Sequence, residues 1–262
     1  MDQVIGMNRL PGRVYAITGS TKGIGEGIAR RLAAEGAKVV VSGRSSGKGE
    51  ALAAEYPGQM HFVQCDVTKP ADCEKLIAET VRVFGRIDGL INNAGIFPRD
   101  AIEATPEELY DRVMGTNVKG SFFCTKYAVE QMIRQGDGGN IVNIGSTHWK
   151  HGPGVYGMSK GGMHALTHNI AHAYANDGIR CNWVTVGWVL SEGEIEMDEA
   201  EGYTADTFRE LMELYYPKKN GRYQTEDDIA LAVVYLLSDE SSQVTSGDIE
   251  VHGAFRFLED VD

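Results

Sequence analysis

The sequence predicts an α/β fold in which short buried strands alternate with helices around a parallel sheet. Three observations carry that expectation. Apolar runs rich in β-branched residues recur between stretches whose apolar residues repeat at helical spacing. A glycine-rich turn, GSTKGIG at 19–25, joins the first such strand to the first helix. Tyr156 and Lys160 stand four residues apart on a helical pattern, ten residues after a strand that ends at Ser146.

The bulk numbers bound the answer. A length of 262 residues suits one large α/β domain or two small ones, and 42% hydrophobic with 24% charged residues is ordinary for a globular protein. A net charge of -12 argues against nucleic acid and against an anionic membrane surface as partners. The four cysteines form no CxxC pair, so reduced thiols and a cytoplasmic location are expected. No apolar run reads as a signal peptide, and none is long enough for a membrane span. No repeat, linker or low-complexity tract divides the chain, so residues 1–262 are read as a single domain.

Residues 14–18 (VYAIT) form the first strand. Gly19, Gly23 and Gly25 punctuate the turn after it. Ile28, Ala29, Leu32 and Ala33 then repeat at helical spacing, and Gly36 ends the helix. Strand, glycine turn and helix make a dinucleotide-binding opening. The glycines let the backbone approach a pyrophosphate, and the helix N-terminus favours its charge. The spacing is GxxxGxG rather than GxGxxG. Residues 38–42 (KVVVS) complete a βαβ unit. An acid at the end of this strand would bind an adenosine ribose 2′-hydroxyl. The chain has Gly43 and Arg44 there, and a guanidinium suits a 2′-phosphate. Lys22 is a second cation for the same phosphate; the bland alternative is that both are solvated loop charges.

Residues 45–58 read as a helix ending at Tyr56-Pro57-Gly58. Residues 61–67 (HFVQCDV) are a third strand with Asp66 at its exit, placed to accept from an adenine amino group or to start the next turn. A helix over 71–84 follows, and a strand at 88–91 leads into Asn92-Asn93-Ala94-Gly95, small and amide residues that suit close approach of a cofactor. A long helical pattern over 106–135 is interrupted at 115–120, and Asn117 in the gap marks a kink or a bound water. Residues 140–146 are a fifth strand ending at Ser146, on the carboxyl edge where such sheets place ligands. A helix over 156–176 and a strand over 179–186 follow. Segment 188–217 carries Glu192, Glu194, Glu196, Asp198, Glu199 and Glu201 near its start and is expected to cover the substrate as a lid. An amphipathic helix over 225–238 and a strand over 247–252 close the pattern.

Tyr156 and Lys160 share one helix face. A free phenol titrates near pKa ~10, too high for ready proton exchange at neutral pH. A neighbouring ammonium favours the phenolate and lowers that value. A drop of about three units needs roughly 4 kcal/mol, which a close, desolvated charge with a second cation can supply. Ser146 would then hold a substrate oxygen.

With these residues in order, the sequence resembles the short-chain dehydrogenase/reductase family over almost its whole length. The resemblance rests on Thr18-Gly19 through Gly23 and Gly25, Asp66, Asn92-Asn93-Ala94-Gly95, Asn117, Ser146, and Tyr156 with Lys160 as YxxxK. It implies a single-domain, Rossmann-type, doubly wound parallel sheet of seven strands with helices on both faces. It implies a nicotinamide cofactor and an oxidoreductase of a small ketone or secondary alcohol, polyol- or sugar-like. The implied catalytic set is Asn117, Ser146, Tyr156 and Lys160, with Tyr156 as general acid or base and Asn117 holding a water behind Lys160. The implied cofactor contacts are Gly19, Ser20, Thr21, Lys22, Gly23, Ile24, Gly25, Arg44, Asp66, Val67, Asn93, Gly95, Tyr156, Lys160 and Val189. NADP(H) is expected before NAD(H), and a homo-oligomer, tetramer or dimer, is expected from the family habit of packing its long helices together. Two departures stand out. Val186-Gly187 replaces the usual Pro-Gly, so a looser or displaced loop entry is expected, which bears on the carboxamide contact implied for the Val189 backbone. His252-Gly253-Ala254 replaces a D-G-G tail.

His164, His168 and His172 repeat at i+4, but no carboxylate or cysteine completes a metal set, so no metal is expected and the row reads as a polar stripe at a helix contact. His148, Trp149 and His151 read either as pocket lining or as surface decoration. The acidic run, if it faces the pocket, disfavours acyl groups carried on an acidic carrier protein. A catalytically silent dinucleotide sensor of the same fold is the alternative reading, and the intact catalytic set argues against it.

Overall fold

The computed structural model describes residues 6–152, 154–189 and 224–253, with isolated positions at 191, 195, 204, 207 and 210. The expected lid over 188–217, with the acids from Glu192 to Glu201, lies almost wholly outside the described residues, as do the side chain of His151 and Ala254.

Seven parallel strands form one sheet in the order β3-β2-β1-β4-β5-β6-β7. They are β1 (Val14–Ile17), β2 (Lys38–Gly43), β3 (Met60–Gln64), β4 (Gly89–Asn92), β5 (Gly139–Ile144), β6 (Ile179–Val186) and β7 (Asp248–Val251). The central strands read as continuous apolar runs because both faces are covered. One face carries α1 (Gly23–Ala34), α2 (Ser46–Ala54) and α8 (Glu226–Leu237), whose Ile28, Leu32, Leu52, Ile229 and Val233 pack on Ile17, Val39 and Val41. The other carries α3 (Pro70–Phe84), α5 (Gly120–Gln135) and α7 (Gly154–Ala173), with Leu76, Cys124, Met132 and Ala171 against Val40, Leu90 and Ile141. The fold is thus doubly wound. Strand order reverses between β1 and β4, which opens a ligand crevice at their carboxyl ends.

Helix ends follow from local chemistry. Pro70 starts α3, and Gly85 closes it at φ 83°, a left-handed conformation open to glycine. Thr225 and Asp228 form a reciprocal capping box at the start of α8. Arg31 of α1 then holds Asp227 through two bonds of 2.7 and 2.5 Å, locking α8 to α1.

The predicted interruption at 115–120 is a π-helical turn, Met114–Lys119, between α4 (Glu107–Val113) and α5. It buries Asn117 completely. The expectation of a loose exit from β6 is corrected. Val186 is buried and paired with Val251, and its carbonyl accepts from Thr147 N–H at 3.0 Å. Gly187 N–H donates to Val251 O at 3.1 Å, and the space beside its Cα is filled by His252 and Gln224. Strand pairing on both sides fixes this exit without proline.

Candidate active site at the carboxyl edge of the sheet

The glycine turn needs its glycines for space as well as for conformation. Gly19 and Gly23 have φ of 63° and 57°. A Cβ on Gly25 would lie 2.5 Å from both Asn93 Nδ2 and Gly19 O. Thr18 and Asn93 bind the turn to the exit of β4. Thr18 Oγ1 accepts from the N–H groups of Asn93 and Ala94 at 3.0 Å each, and Asn93 Nδ2 donates to Thr18 O and Gly19 O. Ser20 is fully buried; its hydroxyl donates to Ile17 O and accepts from Ser42 N–H. Its side chain therefore shapes the turn. Ile24 packs on the α1-side core. The first residue before α1, Lys22, provides no side-chain cap, so the amides of the first turn keep room for an external anion.

The second strand delivers Arg44 to an exposed position just past β2, with its carbonyl held by Gln64 Nε2 at 3.0 Å. Thr21 sits against Gly43, where a Cβ would meet it at 2.8 Å. Asp66 stands across from Arg44. Desolvation raises its pKa, but hydrogen bonds from Thr68 and the fields of Lys69 and Arg44 outweigh that and hold it below the usual carboxylate range. Its Oδ1 accepts from Thr68 N–H and Oγ1, the turn role, while its Oδ2 lies 3.9 Å from Lys69 Nζ. Val67 is buried against Gly120 at the start of α5.

The chemistry-bearing residues of α7 meet those of the π turn. Lys160 is buried, its ammonium donates to Ile144 O at 2.8 Å and lies 5.9 Å from the centre of the Tyr156 ring. Burial pushes its pKa down to about 8. A Cβ on Gly95 would touch Asn117 Oδ1 at 3.3 Å and Lys160 Nζ at 3.8 Å, so these three positions converge. The Asn117 side chain accepts from Ile96 N–H and donates to Ile96 O and Ser159 Oγ, each at 2.9 Å. Ser159 in turn donates to Tyr156 O at 2.7 Å. Through these bonds the Asn117 side chain clamps the β4 exit to α7. Ser146 Oγ lies 3.3 Å from His148 Nδ1 and accepts from His148 N–H at 3.2 Å. The His148 and Phe97 rings approach the Tyr156 ring, with centres 5.7 and 6.4 Å away. Burial lowers the His148 pKa, and Arg99 lowers it further. Val189 is buried and bridged to Gln224.

Some contributors escape sequence patterning. Asp100 caps α7: its carboxylate accepts from Val155 N–H at 3.0 Å and from the Thr105 hydroxyl. Phe97 and Arg99 come from the same loop. No spacing rule marks such residues; the one usable signal is their nearness to Asn92-Asn93-Ala94-Gly95.

Two of the three histidines in the row pack against Trp149, Trp183 and Ser246, while His172 is exposed. His164 stacks on Trp149 at 4.0 Å and meets His168 and Trp183 edge-on, and His168 Nδ1 lies 2.5 Å from Ser246 Oγ. Among the described residues no cluster of histidine, cysteine, aspartate or glutamate has metal-holding geometry, and no helix is long and apolar enough to cross a membrane.

Comparison with known proteins agrees with this geometry. A family model described as enoyl-(acyl carrier protein) reductase matches residues 19–255. The chain is similar to an uncharacterised oxidoreductase of Thermotoga maritima, 38% identical, covering 92% of this chain and 96% of that protein. It is similar to an L-rhamnose 1-dehydrogenase (NAD(P)(+)) of a Sphingomonas species, 34% identical over 94% and 97% of the two chains. It is also similar to an NADP-dependent (R)-specific alcohol dehydrogenase of Lentilactobacillus kefiri, 32% identical over 95% and 98%.

Proposed function

The chain belongs to the short-chain dehydrogenase/reductase family of oxidoreductases, and from that membership we propose that it is an NADP(H)-dependent enzyme acting on a small ketone or secondary alcohol, polyol- or sugar-like. The observation that carries this reading is the buried Lys160 ammonium beside the Tyr156 ring, at the sheet edge where the glycine turn opens. The dinucleotide, when bound, supplies or accepts the hydride.

The chain's own residues do the rest. The turn from Gly19 to Gly25 holds the pyrophosphate against the uncapped start of α1. Arg44 and Lys22 take the 2′-phosphate, and Asp66 and Val67 take the adenine side. Asn93, Gly95 and Val189 flank the nicotinamide side. Tyr156 gives a proton to the substrate oxygen in reduction and takes it back in oxidation. Lys160 favours the phenolate by its charge and holds the adjoining ribose. Ser146 holds the substrate oxygen as charge develops there. Asn117 fixes the clamp between the Ile96 loop and α7.

The names of the relatives support an alcohol or sugar substrate; one names NADP and another either coenzyme, so the NADP reading rests on Arg44 and Lys22. A net charge of -12 disfavours docking of an acidic acyl carrier. A second copy of the chain is proposed to cover the nearly half-exposed Phe122 and Met158 on α5 and α7.

The test is a carbonyl panel, including an acyl-carrier thioester, run with NADPH and NADH. Ketone reduction with NADPH is expected to be fastest, and Arg44→Ala is expected to remove the coenzyme preference. Tyr156→Phe should lower kcat by about a hundredfold or more, the usual range for a lost acid–base group. Turnover that survives that substitution would overturn the assignment.

A further inference from the structure

The proposal concerns Ser146 and rests on the reading of that residue as the holder of the substrate oxygen. A serine oxygen has two lone pairs and one proton to give. One lone pair is already filled: His148 N–H donates to Ser146 Oγ at 3.2 Å. The His148 ring presents Nδ1 to the same oxygen at 3.3 Å. One residue, two positions further along the chain, therefore faces Oγ with both its backbone and its ring.

What the ring does depends on where its proton sits. With Nδ1 bare, the serine hydroxyl turns toward the ring and its proton is withdrawn from the substrate. With a proton on Nδ1, the ring fills the second lone pair. The hydroxyl proton is then left for the substrate oxygen.

We propose that His148 acts as the Nδ1–H tautomer and is a positioning residue for Ser146, filling both serine lone pairs so that its hydroxyl donates only to the substrate oxygen. The surroundings agree. His148 is exposed as a residue, but its ring packs beside Tyr156 with the charge of Arg99 nearby, and partial desolvation together with Arg99 disfavours the imidazolium. A neutral ring has a single proton, so its placement matters. Acid does not undo the device, because the imidazolium also carries a proton on Nδ1.

Asparagine and aspartate have nearly the same shape at this position but opposite capacity. The amide can donate to Oγ; an ionised carboxylate can only accept and draws the serine proton away. The experiment compares His148→Asn, His148→Asp and His148→Ala in the full chain, with Ser146→Ala and Tyr156→Phe alongside, over a pH range. His148→Asn should keep kcat within about threefold of wild type, and His148→Ala should lose about tenfold, one net hydrogen bond. His148→Asp should lose about a hundredfold in kcat at its own pH optimum, like the loss of an oxyanion donor, with KM nearly unchanged. Reading at the optimum removes the simple effect of a new charge on the Tyr156 titration. A second readout is independent of turnover: nitrogen-15 shifts of the His148 ring should show a protonated Nδ1.

Equal losses in His148→Asn and His148→Asp with unchanged melting temperatures would mean that only shape matters and would overturn the proposal. A bare Nδ1 would overturn it as well. If Ser146→Ala and Tyr156→Phe abolish turnover while all three His148 variants match wild type, this inference alone fails. If Ser146→Ala and Tyr156→Phe stay active, the proposed function fails with it.

Discussion

Burial sets the charge state of Lys160, and the sign of its effect on stability can be worked out. Its pKa falls to about 8 in the folded chain because of desolvation, against about 10.4 when unfolded. Between these values the unfolded chain binds the extra proton, so stability rises with pH across that window. Below about pH 8 the cost of burying the ammonium is fully present. The slope of this single group approaches about 1.4 kcal/mol per pH unit. Urea unfolding of wild type and Lys160→Met at pH 8 and pH 10 checks this. The wild type should gain stability relative to the variant on going up, and parallel behaviour would contradict the assignment. The candidate residues were legible in the sequence because the proposed chemistry asks for fixed spacing: Tyr156 and Lys160 one helical turn apart, Ser146 two residues past a strand. Asp100, Phe97 and Arg99 were not legible, because a loop reaches its partners through space, and Asp100 meets Val155 from 55 residues away.

At the scale of elements, the start of α7 decides how Tyr156 is presented. Asp100 accepts from Val155 N–H, one residue before Tyr156, and Gly154 at φ 80° leaves no room for a Cβ against that carboxylate. Asp100→Ala removes this cap and should cost about 1 kcal/mol, the usual worth of an N-cap, measured as a lower urea midpoint with unchanged slope. A kcat that also falls while coenzyme affinity holds would trace the loss to the presentation of Tyr156. Element positions were largely readable from periodicity: each of the seven strands overlaps the segment expected for it, but β3 stops at Gln64 rather than at Val67 and β5 at Ile144, short of Ser146. The type of the helix interruption was not readable. Gly115 and Gly120 signal a break, but the π turn depends on Asn117 bonding the distant Ile96 backbone. The short helix His148–His151 was missed because four residues carry no period. The β6 exit was misjudged because proline was taken as the source of rigidity that strand pairing provides.

At the scale of the molecule, strand order was the part that periodicity alone could not give. The alternating pattern pointed to parallel pairing, but the doubly wound arrangement entered through the family resemblance, and the sheet has it, with its reversal between β1 and β4. The same sheet keeps Cys65, Cys73, Cys124 and Cys181 almost wholly out of water. Cys65 donates to Asp72 O and Cys73 donates to Val67 O, directly behind the candidate adenine loop. A water-soluble aromatic disulfide reagent can reach these sulfurs only when the native packing breaks open. If opening also destroys the dinucleotide site, NADPH at one hundred times its Kd should slow labelling by about a hundredfold. Labelling indifferent to NADPH would mean that the sulfurs open without disturbing that site. The buried sulfurs thus serve as a stopwatch, by which the lifetime of the closed molecule can be timed without knowing what it catalyses.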